Sequence, residues 1–241
     1  MQIKILFNNQ SKHSNFQSGW GFSCLIDNDV LFDVGADAES LEKNIELLNI
    51  DLSLIKHIII SHDHWDHTGG LWWILSKIRN VSVYVCPGFS KEFIEKLEST
   101  EARIVQCVAP QPIVRGVIWT TGQIQGSYKD NLISEQSVVI ENQNSVSVIT
   151  GCAHPGIIDI LNKVKESFPK KDFNLVLGGF HLHKTDEENI KSIVQSFRNL
   201  KVKKIAPMHC TGDVAINLLK EEYGNDCLLF GSGDIIDQNL S

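Results

Sequence analysis

Short apolar runs separated by polar turns set the rhythm of this chain, and no run is longer than a strand or one helix face. Residues 2–7 predict a first strand, and the Gly- and Ser-bearing stretch 8–20 a loop. Residues 22–26 and 30–34 predict a hairpin around Asp27-Asn28-Asp29. The 37–48 segment has helical periodicity with acids in its first turn. Beyond it the pattern predicts a strand at 56–60, a helix at 68–78, a strand at 81–85, a helix at 90–98 and a strand at 103–107. Residues 108–135, broken by Pro110, Pro112, Gly116, Gly122 and Gly126, read as irregular with one strand near 117–121. Strands at 136–141 and 145–150 follow, joined by a tight turn at Asn142–Asn144.

The last third alternates strand and helix. After 145–150 come a helix at 156–167, a strand at 173–177, a helix at 187–199, a strand at 203–206, a helix at 213–222 and a closing strand at 227–230. Strands crowd the first half and strand–helix units the end. That mixture predicts an α/β fold with two sheets and helices outside them.

Composition adds bounds. At 241 residues, 42% hydrophobic and 21% charged, the chain is of ordinary globular make-up. A formal charge of −7 weighs against a polyanion-binding surface, so no nucleic-acid partner is expected. No stretch approaches the roughly 20 apolar residues of a membrane span, and the first residues lack a signal-peptide core. Six cysteines without C-x-x-C pairs fit reduced thiols, and the expected location is cytoplasmic. Oligomeric state is not legible.

The chemistry is concentrated in one hexapeptide. His62, His64, Asp66 and His67 form H-x-H-x-D-H directly after the apolar run Ile58–Ile60. Three imidazoles and a carboxylate that close together have no packing rationale. They suit a borderline divalent ion such as zinc. The remaining histidines reinforce this. Just past predicted strands stand His154 in Gly151-Cys152-Ala153-His154-Pro155, His181 and His183 after Gly178-Gly179-Phe180, and His209 in Pro207-Met208-His209-Cys210. Ligand sites of α/β folds gather at that edge. Pro155 predicts that His154 sits at the helix entrance. His181 and His183 alternate, so only one faces inward, and His181 is favoured. Cys152 and Cys210 read as small buried residues rather than ligands. His13 and His57 read as structural or solvent-facing.

This ordered set resembles the metallo-β-lactamase superfamily over nearly the whole chain. The resemblance implies one domain, 1–241, with a four-layer αββα sandwich of two mixed β-sheets flanked by helices. It implies a binuclear metal site, with His62, His64 and His154 on one ion and Asp66, His67 and His209 on the other. Zinc is the expected metal, with manganese, iron or nickel also suited. Asp33, in Leu31-Phe32-Asp33-Val34-Gly35, matches an early acid that supports the metal loop without ligating. One departure stands out. Where the superfamily usually supplies a bridging acid, this chain reads Leu177-Gly178-Gly179-Phe180-His181. Either His181 substitutes, or the second ion is held more weakly, or the bridge is incomplete.

The expected function is that of a metal-dependent hydrolase, a metal-bound hydroxide attacking an ester or phosphoester of a small, anionic or phosphorylated molecule. Asp66 would orient the hydroxide, and His181 would contact substrate. The strings GCAHPG, GGFHL and MHCTG also resemble a subgroup that includes an archaeal synthase joining a dihydropterin to a ribofuranosyl-aminobenzene phosphate. The alternative is therefore a pterin-related transferase, with Trp20, Trp65 and Phe180 as candidate stacking groups. Trp72 and Trp73 read as packing. Iron redox chemistry and a non-catalytic metal-binding role rank lower. Segment 108–135 and loop 8–20 are the expected pocket walls, with Arg115 and Lys129 available to an anionic group.

Overall fold

A computed structural model describes residues 1–114 and 116–237. Arg115, a candidate contact for an anion, lies outside the described residues. In chain order come β1 (Gln2–Phe7), β2 (Ser23–Ile26), β3 (Val30–Phe32), α1 (Ala38–Leu47), β4 (His57–Ile59), α2 (Trp65–Thr68), α3 (Leu71–Lys77), β5 (Ser82–Val85), α4 (Lys91–Glu98) and β6 (Arg103–Gln106). Then follow β7 (Gln111–Val114), β8 (Ile118–Thr120), β9 (Ile124–Tyr128), β10 (Asn131–Glu135), β11 (Val138–Glu141) and β12 (Ser145–Thr150). The chain ends with α5 (Ile157–Ser167), β13 (Asp172–Gly179), α6 (Glu187–Asn199), β14 (Lys204–Met208), α7 (Asp213–Tyr223) and β15 (Ile235–Asp237). Two compact units result: Met1–Gln106 with the chain from Phe230 onward, and Cys107–Leu229.

The first unit holds a mixed seven-stranded sheet, β15-β1-β2-β3-β4-β5-β6. Pairing is parallel from β3 to β6 and antiparallel from β15 to β3. Apolar faces of α1, α3 and α4 (Leu41, Ile45, Leu71, Ile74, Phe93, Leu97) bury against Leu25, Leu31, Ile58 and Val83. Burying side chains of that size contributes about 1.5–3 kcal/mol each, enough to hold the helices on the sheet. Asp37 and Ser90 cap α1 and α4 by accepting from Ser40 N and Phe93 N.

The second unit holds a mixed six-stranded sheet, β14-β13-β12-β11-β8-β7, and a separate β9–β10 hairpin. Helices α5, α6 and α7 pack Ile160, Leu161, Ile190, Phe197 and Leu219 onto Val148, Phe173, Val176 and Ile205. Parallel register aligns the ends of three strands, with Thr150 opposite Gly178, and Gly178 and Gly179 opposite Pro207 and Met208. Whatever follows Thr150, Gly179 and Met208 therefore emerges at one sheet edge. Among the described residues no helix is long and apolar enough to cross a membrane.

Four sequence expectations are corrected. Segment 108–135 is mostly strand, with β7, β8, β9 and β10 in place of the single strand near 117–121. The helix expected at 68–78 divides into α2 and α3 at Gly69-Gly70, where two poor helix formers meet. Cys227 makes only an isolated bridge with Ile205, and the last strand among the described residues is β15, paired with β1. Helix α5 starts at Ile157 with Gly156 as its cap residue, so His154 and Pro155 lie in the preceding turn, outside the helix.

Candidate metal centre

In the first unit, β3 and β4 run side by side with Phe32 opposite Ile59, so Asp33 and Ser61 leave the sheet together. Asp33 is fully buried and in the left-handed region (φ 52°). Its carboxylate accepts from Ser61 N at 2.7 Å, Ser61 Oγ at 2.8 Å and His67 Nδ1 at 2.7 Å. His62 Nδ1 lies 2.8 Å from Ser61 Oγ. Ser61 gives its only proton to Asp33, so it accepts from His62. Both imidazoles then carry their proton on Nδ1 and keep a lone pair on Nε2, the atom a metal takes. Burial pushes the Asp33 carboxyl above its ordinary range, while His67 and the Ser61 donors pull it back.

The motif's side chains crowd together. The His62 ring centroid is 4.7 Å from that of His64 and 4.2 Å from that of His67, and Asp66 Oδ2 is 3.7 Å from His67 Nε2. His62, Asp66 and His67 are buried. Backbone bonds clamp the loop from outside, with Phe22 N donating to Asp66 O and Val34 N to His67 O. Asp33 thus fills the supporting role the resemblance implied.

The second unit presents its own donors at the common edge of β12, β13 and β14. Cys152 Sγ, a nitrogen of His154 and a nitrogen of His181 lie within 4.8 Å of one another. The His154 and His181 ring centroids are 4.4 Å apart. His209 directly follows β14 and is 4% exposed. Ala153, His181 and His209 all adopt positive φ (64°, 54° and 47°). Such backbone costs of order 1–3 kcal/mol per residue and persists where surrounding bonds impose it. Those bonds are present. Gly179 N donates to Gly151 O, Phe180 N to Thr211 Oγ1, His183 N to Cys210 O and Cys210 Sγ to Cys152 O. Gly178 (φ 117°) has no room for a side chain, since a Cβ would stand 2.0 Å from Thr150 O.

His183 is exposed and His181 half-buried among the donors, the division expected from their alternation. His57 meets the Tyr84 hydroxyl and His13 meets Asp234, both away from the motif's cluster. Trp72 packs on Phe93. Phe180 is 1% exposed against Phe197, which removes it as a stacking group; Trp20 and Trp65 are 46% and 64% exposed. Cys152 is buried, as expected, and also stands beside His154 and His181; Tyr128 and Glu135, from the hairpin placed in the irregular segment, were missed from sequence. Alternation in Ile124–Tyr128 was the available signal for the first strand, while Asn131–Glu135 does not alternate.

Imidazole, carboxylate and thiolate form a donor set that fits zinc or a neighbouring divalent metal. Residues 27–209 match the model of the metallo-beta-lactamase superfamily. The chain is 33% identical, over an alignment that covers 93% of this chain and 92% of the relative, to the 7,8-dihydropterin-6-methyl-4-(beta-D-ribofuranosyl)-aminobenzene-5'-phosphate synthase of Methanocaldococcus jannaschii. It is similar to the crystal structure of Tm1679, described as a metal-dependent hydrolase of the beta-lactamase superfamily (TM-score 0.81, 30% identity, 98% of each chain). It also shares the fold of YhfI from Bacillus subtilis, a metallo-beta-lactamase fold protein (TM-score 0.69, 12% identity, 98% and 99% covered). The α/β class expected from sequence, with two mixed sheets flanked by helices, is the one found. Superfamily membership and the synthase relative both support an enzymatic role, and the superfamily typically binds divalent metals. The chain belongs to the metallo-β-lactamase superfamily.

Proposed function

We propose that the chain works as a single domain in which the two donor sets share one binuclear centre and act on a pterin-type substrate. His62, His64 and His154 hold one ion, and Asp66, His67 and His209 the other. Cys152 and His181 stand where the superfamily's bridging acid is missing. Support for a shared centre comes from the family match, which runs through both sets, and from the like chemistry of the donors.

The reaction is the union of a dihydropterin carrying a 6-methylene leaving group with a ribofuranosyl-aminobenzene 5′-phosphate. The observation that carries this reading is 33% identity to the synthase over nearly the whole of both chains. The aromatic amine forms a C–N bond to the methylene carbon, the carbon–leaving-group bond breaks with its electron pair, and the amine gives up a proton. Metal ions held by these residues would supply positive charge for the departing anion. Asp66 ligates and orients, and His181 receives the amine proton. Tyr128, edge-on to His154 and His181 at 5.2 and 6.1 Å between centroids, forms one wall for a flat ring.

A second reading, hydrolysis of a phosphoester, is favoured by the 30% identity to the Tm1679 hydrolase. One experiment separates them. Zinc- or manganese-loaded protein is incubated with both synthase substrates and, separately, with a phosphodiester such as bis(p-nitrophenyl) phosphate, with products followed by mass spectrometry. A coupled pterin product that disappears in His64→Ala and His181→Ala supports the synthase. Phosphodiester turnover without coupling replaces it with the hydrolase.

A further inference from the structure

Three residues of the β9–β10 hairpin meet the turn that presents Cys152 and His154. Glu135, the last residue of β10, is fully buried. Its Oε1 accepts from Cys152 N at 2.9 Å and Ala153 N at 2.7 Å, and its Oε2 accepts from His154 N at 2.7 Å. Gly126 on β9 lies against the same turn, where a Cβ would stand 2.6 Å from the His154 carbonyl carbon and the Pro155 nitrogen. Tyr128 places its ring against those of His154 and His181. Lys129 and Asp130 (φ 48° and 64°) close the hairpin and bring its two strands into register.

A buried carboxylate is costly unless the charge is met. Here three successive backbone N–H groups converge because Ala153 is left-handed. This is the concave arrangement of amides that binds anions elsewhere, and the chain fills it with its own acid. Glutamine in this place would accept at one oxygen and turn its amide N–H₂ toward the His154 N–H. The carboxylate is therefore specific to the arrangement. The first unit has a counterpart, since Asp33 gathers Ser61 N, Ser61 Oγ and His67 Nδ1 beneath its own donors.

We propose that Glu135 is a positioning residue for the metal centre. It fixes the backbone of Cys152–His154, and so the aim of the thiol and the imidazole, and it sets a negative charge behind donors that must hold a cation. This rests on the binuclear centre proposed above and is independent of which substrate that centre serves.

The test is zinc titration of demetallated full-length protein against a chromophoric chelator, with no substrate present. Glu135→Gln should weaken binding of one ion by about 10–100-fold, the usual cost of losing a partner behind a ligand. Ile205→Val, in the core of the same unit, serves as a control for destabilisation alone and should leave affinity unchanged. If Glu135→Gln does not fold, Gly126→Ala, which pushes on the His154 backbone, should show the same selective loss. Wild-type affinity in a folded Glu135→Gln protein, or equal weakening in Ile205→Val, overturns the proposal. A wild-type protein that binds no zinc, manganese or iron overturns the metal centre itself.

Discussion

Replacing Asp33 should separate metal binding from folding. Asp33→Ala strands Ser61 N–H, Ser61 O–H and the His67 Nδ1 proton in a fully buried site. A buried donor without its acceptor costs about 1–3 kcal/mol. Three of them, partly relieved by a water in the vacated space, amount to about 3–5 kcal/mol. That is a large share of the roughly 5–15 kcal/mol that holds a domain together. Asp33→Asn keeps the volume and can still accept from Ser61 N. Its amide N–H₂ then stands in the place of Oδ2 and faces both Ser61 Oγ and His67 Nδ1; the serine hydroxyl can turn to accept from it, so the charge-assisted bond from His67 is the one lost, about 1.5–3 kcal/mol. Part of that is returned. Burial raises the Asp33 carboxyl above its ordinary range, so the native protein bears a cost for ionising it that asparagine removes. Compared with Asp33→Ala, the net loss should therefore be well below for Asp33→Asn. Its metal affinity should still fall about 10–100-fold, because His67 is no longer held as the Nδ1 tautomer. Urea unfolding and zinc titration read the two effects separately. Asp33→Asn with wild-type metal affinity, or a stability below that of Asp33→Ala, would refute the reasoning.

Gly178→Ala should fail to give folded protein, since φ 117° and a carbonyl 2.0 Å from the new Cβ combine strain with a clash; soluble protein with a wild-type urea midpoint contradicts this. His57 is predicted to make the protein less stable in acid. Burial lowers its pKa, against a smaller upward pull from Asp29, so below about pH 6.5 the unfolded chain binds a proton the folded chain resists. Its contribution is complete above that pH and declines as pH falls toward the folded value. His57→Gln, able to keep a bond to Tyr84, should flatten the urea midpoint against pH on the acid side of about 6.5; an unchanged slope rules His57 out as the cause.

Much of the fold was legible because its helices and parallel strands carry strong periodicity. Helices α1, α4, α6 and α7 fall within a residue or so of expectation, each with an apolar stripe that its sheet buries. The histidines were legible for a different reason. Strand ends can be read from sequence, and residues just beyond them share an edge whatever the details of packing. The 108–135 segment failed because Pro and Gly were read as breakers. Pro112 is tolerated on β7, an edge strand of its sheet. Gly126 is small because the His154 turn presses on it, and Lys129-Asp130 closes a hairpin without the Asn-Gly or Asp-Gly pair that advertises such turns. With the hairpin went Glu135 and Tyr128. A buried acid whose partners are backbone N–H groups leaves no trace in a pattern of side chains.

Joint ligation is the claim on which the proposed chemistry stands, and a cycle of His62→Ala, His154→Ala and the double variant tests it directly by zinc stoichiometry and affinity. If both imidazoles hold the same ion, each single variant should lose one and the same equivalent, and the double variant should lose no more. Additive losses, or a variant that keeps its full complement of metal at wild-type affinity, would contradict a centre built from both donor sets.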